Sequence, residues 1–366
     1  MTTTELLSFD SYKTLEDDAC QQRIRAARAR LGSRATILGH HYQRADVYQH
    51  ADLTGDSLGL ARLAANTEAE YIVFCGVHFM AEVADILTGP DQVAILPDLS
   101  AGCSMADMAS LAKVERAWRE IAEVLDPDEH ITPITYINSA ADLKAFCGEH
   151  GGIVCTSSNA RSILEWAFAR RDKVLFFPDQ HLGRWTGYLM DIPVSEMLVW
   201  DPDEPMGGLS AQQIKMAKVL LWKGHCSVHQ MFQPQHILRW REQNPSGMVI
   251  SHPECRFDVC KLSDYVGSTD FIIRSIAQSA PGTRWLVGTE LNLVNRLADQ
   301  FKGQGKVIQF MSPTVCMCST MARIDPQHLA WCLESLAEGR VVNRISVPER
   351  EAGLARLALT RMLEVS

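Results

Sequence analysis

The stretch ITPITYINSAADLKAFCGEHGGIVCTSSNARSILEWAFARRDKVLFFPD, from Ile131 to Asp179, decides the fold. Three short apolar, β-branched or aromatic runs, Ile131–Asn138, Gly152–Ser158 and Lys173–Asp179, alternate with longer Ala- and Leu-rich segments at helical spacing. Runs this short that end in turn residues predict strands, and the segments between them predict crossover helices. Strands joined through helices pair parallel. The same alternation recurs at Ala35–His41, Glu70–Gly76, Val93–Asp98, Glu196–Asp201, Gly247–Glu254, Arg284–Glu290 and Lys306–Pro313. The chain is therefore expected to be α/β with mainly parallel sheets.

At 366 residues the length suggests roughly two to three domains. Apolar residues are 46% and charged residues 22%, ordinary globular usage that excludes a disordered, collagen-like or coiled-coil chain. The longest apolar runs, such as Tyr71–Cys75, fall far short of the ~20 residues that span a bilayer, so no membrane partner is expected. The N-terminal segment has no continuous apolar run of the signal-peptide kind, and a cytoplasmic location is expected. Net charge is −9, and the one basic cluster, Arg23 to Arg30, reads as the solvated face of a helix, so nucleic acid is not expected as a partner.

The chemistry gathers in the turns that follow the strands. In open α/β sheets ligands bind beyond the carboxyl ends of strands, where helix N-termini offer free N–H groups. A threefold grammar runs through these turns: a first strand ends in a polar triplet (HHY, YIN, HPE), and each unit closes on a cysteine in a polar loop, Cys103, Cys226 and Cys318. Spacing is unequal, which argues for three divergent α/β units of roughly 90 to 120 residues rather than a solenoid. Of the eleven cysteines, Cys75, Cys147, Cys155 and Cys332 sit in apolar contexts and read as small buried hydrophobes.

Three loop cysteines, one per unit, suit a [4Fe–4S] cluster whose fourth iron stays open to substrate, although buried cysteines of no function are common. Cys316 and Cys318 form a CxC pair of which one member is expected as a ligand, the alternative being two exposed loop thiols of no consequence. In HPE, Glu254 suits a proton acceptor and His252 a donor or oxyanion stabiliser; a plain proline turn is the simpler alternative. Gly267, Ser268 and Thr269 precede a helical run and could cradle phosphate or carboxylate, or Ser268 or Thr269 could cap the helix. Ser57 and Ser157 carry the same two readings. His40 and Tyr42, and Tyr136 and Asn138, alternate along strand ends and so point to one side.

In order from Ala35 to Arg323, the strings GHHYQ, TGDSL, CGVHFMAE, LPDLSAGCS, YINS, CTSSNA, PDQHLGR, KGHCSVH, SHPE, VGST and CMCSTM resemble the quinolinate synthase family, iron–sulfur enzymes of NAD biosynthesis. The resemblance implies three similar three-layer α/β sandwich domains around a pseudo-threefold axis, here divided as 1–125, 126–240 and 241–366, the last including the C-terminal helices. It implies a [4Fe–4S] cluster held by Cys103, Cys226 and Cys318, with Cys318 preferred to Cys316 because it stands three residues before Met321. It also implies a substrate pocket of His40, Tyr42, Ser57, Tyr136, Asn138, Ser157, His181, His252, Glu254, Ser268 and Thr269. His40, Tyr42, His252 and Glu254 are the catalytic candidates among them.

Some family members carry CxxCxxC where this chain has only CxC, so thiol–disulfide regulation tied to the longer stretch does not carry over, though Cys316 and Cys318 could still pair if the cluster were lost. The activity implied is condensation of iminoaspartate with dihydroxyacetone phosphate to quinolinate. The unstable imine must come from an oxidase or dehydrogenase. The other classes compatible with three loop cysteines are a different [4Fe–4S] hydro-lyase, an electron-transfer or sensing protein, and a zinc protein. The last lacks a fourth ligand, and an electron carrier would leave the polar triplets without a task.

Overall fold

The computed structural model of the chain describes residues 8–314 and 317–365. Its strands form three sheets in which every strand pairing is parallel. The chain divides into two compact units, the first running to Gly102 and resuming at Ser319–Ser346, the second comprising Cys103–Cys318 and the residues from Val347 onward.

The first unit carries β1 (Ala35–His40), β2 (Leu53–Gly55), β3 (Tyr71–Cys75) and β4 (Val93–Ile95), in the order β2-β1-β3-β4. The returning segment covers the free edge of β4, where the Leu96 amide donates to Asn343 O at 3.2 Å and the Ile345 amide to Ala94 O at 2.9 Å. Helix Asp17–Leu31 buries Ile24, Ala27 and Leu31 and packs on helix Pro326–Ala337. The arginines of its opposite face pair outward, Arg28 with Asp52 and Arg30 with Glu338. This is the solvated face expected of the basic cluster.

The second unit carries β5 (Ile131–Tyr136), β6 (Ile153–Cys155), β7 (Lys173–Phe177), β8 (Met197–Trp200) and β9 (Val219–Trp222) in the order β6-β5-β7-β9-β8. It also carries β10 (Met248–Ser251), β11 (Tyr265–Val266), β12 (Arg284–Gly288) and β13 (Val307–Phe310), in the order β11-β10-β12-β13. With β8 set aside as an added edge, the three sheets share one order: the first strand lies inside, the second goes to one side, the third and last to the other. The reversal opens a crevice at the carboxyl ends of the first and third strands, which are the positions of HHY, YIN and HPE. β5, β7 and β9 are buried at every residue, as strands covered on both faces should be.

All ten runs read as strands are strands. β2, β9 and β11 were not foreseen. β2 and β11 are too short to carry a periodic signal, and VLLW of β9 follows helix Ala211–Met216 without a glycine or proline to break the helical reading. The C-terminal helices differ from expectation. Rather than packing within 241–366, Pro326–Ala337 packs on Asp17–Leu31, and Glu349–Val365 packs on helix Ala141–Glu149 beside β6. The cause of the second placement is Gly148, where a Cβ would lie 1.9 Å from the Leu354 carbonyl oxygen, so only glycine admits the helix. Cys75, Cys147, Cys155 and Cys332 are buried, as read from their apolar contexts. No helix among the described residues is long and apolar enough to cross a membrane.

Candidate active site

The second unit places a hydrogen-bonded group of polar side chains at its strand ends, centred on Glu254. This carboxylate is 4% exposed. Its Oε1 accepts the Tyr136 hydroxyl at 2.6 Å, and its Oε2 stands 2.9 Å from Nδ1 of His229. Burial alone would favour the protonated acid, but His229, His252 and the Tyr136 hydroxyl outweigh it and hold Glu254 down to about 2. Glu254 is thus a buried anion at neutral pH.

His252 lies over His229, ring centroids 4.7 Å apart. Its Nδ1 accepts the backbone N–H of Glu254 at 3.3 Å, which leaves the proton on Nε2, 3.2 Å from the Ser157 hydroxyl. Burial pushes His252 down to about 3, against the pull of the Glu254 charge, so the ring is neutral. The HPE turn therefore orients a neutral imidazole donor and an ionised acceptor side by side. In the first unit HHY repeats the device: the Tyr42 amide donates to Nδ1 of His40 at 3.1 Å, and the two rings meet edge to face at 4.7 Å.

The helices after the second strands have defined caps. Asp56 rather than Ser57 caps helix Ser57–Ala65, accepting the Gly59 amide at 2.9 Å. Ser268 caps helix Thr269–Gln278 by accepting the Phe271 amide at 3.3 Å, and Thr269 is buried at the first helical position. Ser157 is bonded to His252 instead.

Cys103, Cys226 and Cys318 are each partly exposed residues in loops after the last strands of their sheets. Burial pushes the Cys103 thiol up to about 12, with Cys318 and Glu254 adding to the rise. Cys226 is raised well above the usual thiol range by burial, then by Glu254 and by its two fellow cysteines. Cysteines in the loops after the last strands of the three sheets have the donor chemistry of thiolate ligands to a metal group. One ligand atom each of Cys226, His229 and Glu254 also lies within 4.8 Å of the others, a set that could hold a metal ion. Cys316 falls outside the described residues.

Several polar atoms at the strand ends have no hydrogen-bond partner among the described residues: Asn138 Oδ1, Asp179 Oδ2 and His181 Nδ1. His181 is held through Nε2 by Gln230 Oε1 at 2.7 Å, and burial lowers it to about 4, leaving Nδ1 an acceptor. Asp179 is fully buried, and burial together with the Glu254 charge pushes its carboxyl well above the usual range. Groups of this kind are completed by water or by ligand atoms.

Residues 22–364 match the family NadA, Quinolinate synthetase A protein. The chain belongs to the quinolinate synthase family. Among its relatives, the quinolinate synthase of Acidobacterium capsulatum is 54% identical over 358 residues, 98% of this chain and 96% of that protein. That of Herpetosiphon aurantiacus is 55% identical over 359 residues, 98% and 95% of the two chains. That of Geobacillus kaustophilus is 53% identical over 357 residues, 97% and 96%.

For this quinolinate synthase family member the structure brings Tyr136, Ser157, His252 and Glu254 into one bonded group, with Cys226 beside it. Three buried groups were missed. His229 stands three residues after Cys226, a Cys-x-x-His spacing visible in KGHCSVH but read only as part of a string. Asp179 and Glu290 follow the third strands of their sheets in PDQ and GTE, the positions that the sheet order makes part of the crevice. His40, Tyr42 and Ser57 belong to the first unit.

Proposed function

We propose that the chain condenses iminoaspartate with dihydroxyacetone phosphate to give quinolinate, phosphate and water, in the cytoplasm, with a [4Fe–4S] cluster held by Cys103, Cys226 and Cys318. The observation that carries this reading is the buried Glu254 carboxylate, kept ionised by Tyr136 and His229 with Cys226 beside it. When bound, the cluster supplies a Lewis acid at the iron that no cysteine ligates. Glu254 accepts protons from substrate carbon, and Tyr42 is the second group for proton transfer. Neutral His252, its Nε2 proton directed at Ser157, donates to developing oxyanions. Ser268, Thr269 and the amides at their helix start bind phosphate, while Ser57 and Ser157 bind the dicarboxylate. Asn138 and His181 offer acceptors to substrate hydroxyl or imine N–H groups, and His40 contacts the same substrate. An oxidase or dehydrogenase supplies the imine.

The three sheets fall one to each of the segments 1–125, 126–240 and 241–366, which supports three domains with those boundaries, allowing for the C-terminal helices that pack elsewhere. A single metal ion on Cys226, His229 and Glu254 is the second reading, favoured by their mutual 4.8 Å limit. Anaerobic reconstitution followed by iron and sulfide analysis separates the two: a cluster carries sulfide, a lone ion none. Cluster-loaded protein that forms no quinolinate would favour a hydro-lyase on another hydroxy acid.

A further inference from the structure

The cysteine loops are tied to the fold by a contact that recurs from sheet to sheet. In each, the helix that follows the third strand begins beside the loop that follows the last strand. In the first sheet the amide of His78, the opening residue of helix His78–Leu87, donates to Ala101 O at 2.8 Å, two residues before Cys103. In the second the amide of Gln180, the opening residue of helix Gln180–Leu189, donates to Gly224 O at 3.0 Å, two residues before Cys226. In the third the contact is made by a side chain and falls on the cysteine itself. Glu290 caps helix Leu291–Phe301, its Oε2 accepting the Asn292 and Leu293 amides at 2.7 and 3.2 Å. Its Oε1 accepts the Asn292 side-chain amide at 3.1 Å and the Cys318 backbone amide at 3.3 Å.

We propose that Glu290 is the positioning residue of the Cys318 ligand, one carboxylate joining a helix N-terminus to the backbone of the cluster loop. This rests on the cluster reading above. Glu290 is fully buried, and a carboxylate is kept in such a place only where N–H donors surround it. Both oxygens here are so occupied. A helix cap alone needs one oxygen; the second is shared between the Asn292 side chain and the loop. Residues 317–320 lie outside any helix or strand, so without this bond the ligand's backbone has more conformations to lose on binding.

Glu290→Asp separates the two duties, because aspartate is a good N-cap but is one methylene too short to hold the Cys318 amide as well. Wild type, Glu290→Asp and Glu290→Ala are to be reconstituted anaerobically with ferrous iron and sulfide. Iron and sulfide per chain, the decay of the cluster's visible absorbance in air, and the melting of each iron-free protein are then measured. Loss of an outer partner of a metal ligand weakens metal binding about 10–100-fold, so Glu290→Asp should melt close to wild type yet lose its cluster at least about tenfold faster. Glu290→Ala should lose both stability and cluster. Variants that keep the cluster as long as wild type, or lose it only in step with their melting, overturn the proposal. Wild type that takes up no iron and sulfide overturns the cluster reading and the proposal with it.

Discussion

Replacing Glu254 by glutamine keeps shape and removes charge at the centre of the site. The Tyr136 hydroxyl, at 2.6 Å, can still donate to the amide oxygen, but His229, 2.9 Å from the other oxygen, then faces an NH2 group. A charge-assisted hydrogen bond is worth roughly 1.5–3 kcal/mol and a neutral one about 1, and the variant no longer buries an anion. These effects oppose, so the change in folding stability should stay within about 2 kcal/mol. Catalysis has no such offset: losing a positioned acid–base group costs about 10²- to 10⁴-fold, or roughly 3–5 kcal/mol of barrier. Tyr136→Phe is the graded comparison. It removes one donor and leaves His229 beside the carboxylate, which predicts a smaller loss. The assay is quinolinate formed per iron-loaded chain. Full turnover by Glu254→Gln with its cluster intact would refute the acid–base role.

Gly148→Ala forces a methyl against the Leu354 carbonyl and should displace helix Glu349–Val365, costing at least about 1–3 kcal/mol; an unchanged melting temperature would mean that the helix is not seated as described. Gly224→Ala places a Cβ 2.1 Å from the Pro178 carbonyl oxygen and should shift the Cys226 loop, lowering iron content after reconstitution more than it lowers the melting temperature. Asp325 caps helix Pro326–Ala337, accepting the His328 amide at 2.8 Å, with His328 Nδ1 also at 2.8 Å. Burial works against the ionised form, but His328 and its amide hold the carboxyl below the ordinary aspartate range. A lowered carboxyl stabilises the fold above its unfolded pKa and loses that contribution as pH falls through the folded one. Asp325→Ala should therefore cost about 1 kcal/mol at neutral pH and progressively less below the ordinary aspartate range, read from urea unfolding across pH.

The parallel α/β architecture was legible because each long strand is a compact apolar run, and in ITPITY and KVLFF every residue is buried. The recurrence of polar triplets and loop cysteines was legible, and the shared sheet order explains it: equal positions in equal topologies fall at the corresponding strand ends of each sheet. The HPE pair was visible, but not its state, since the ionised Glu254 depends on Tyr136 and His229, distant in sequence. His229, Asp179 and Glu290 escaped because a lone polar residue after a strand looks like an ordinary turn until burial shows that it lacks solvent. The fate of the C-terminal helices turned on Gly148, where the absence of a side chain, not a pattern of side chains, fixes the contact.

The most direct test is quinolinate formation from dihydroxyacetone phosphate and enzymatically generated iminoaspartate, comparing anaerobically reconstituted protein with an air-oxidised aliquot. The account predicts quinolinate from the first and none from the second. Equal activity in both would contradict a cluster-dependent reaction, and cluster-loaded protein that makes no quinolinate would contradict the condensing activity itself.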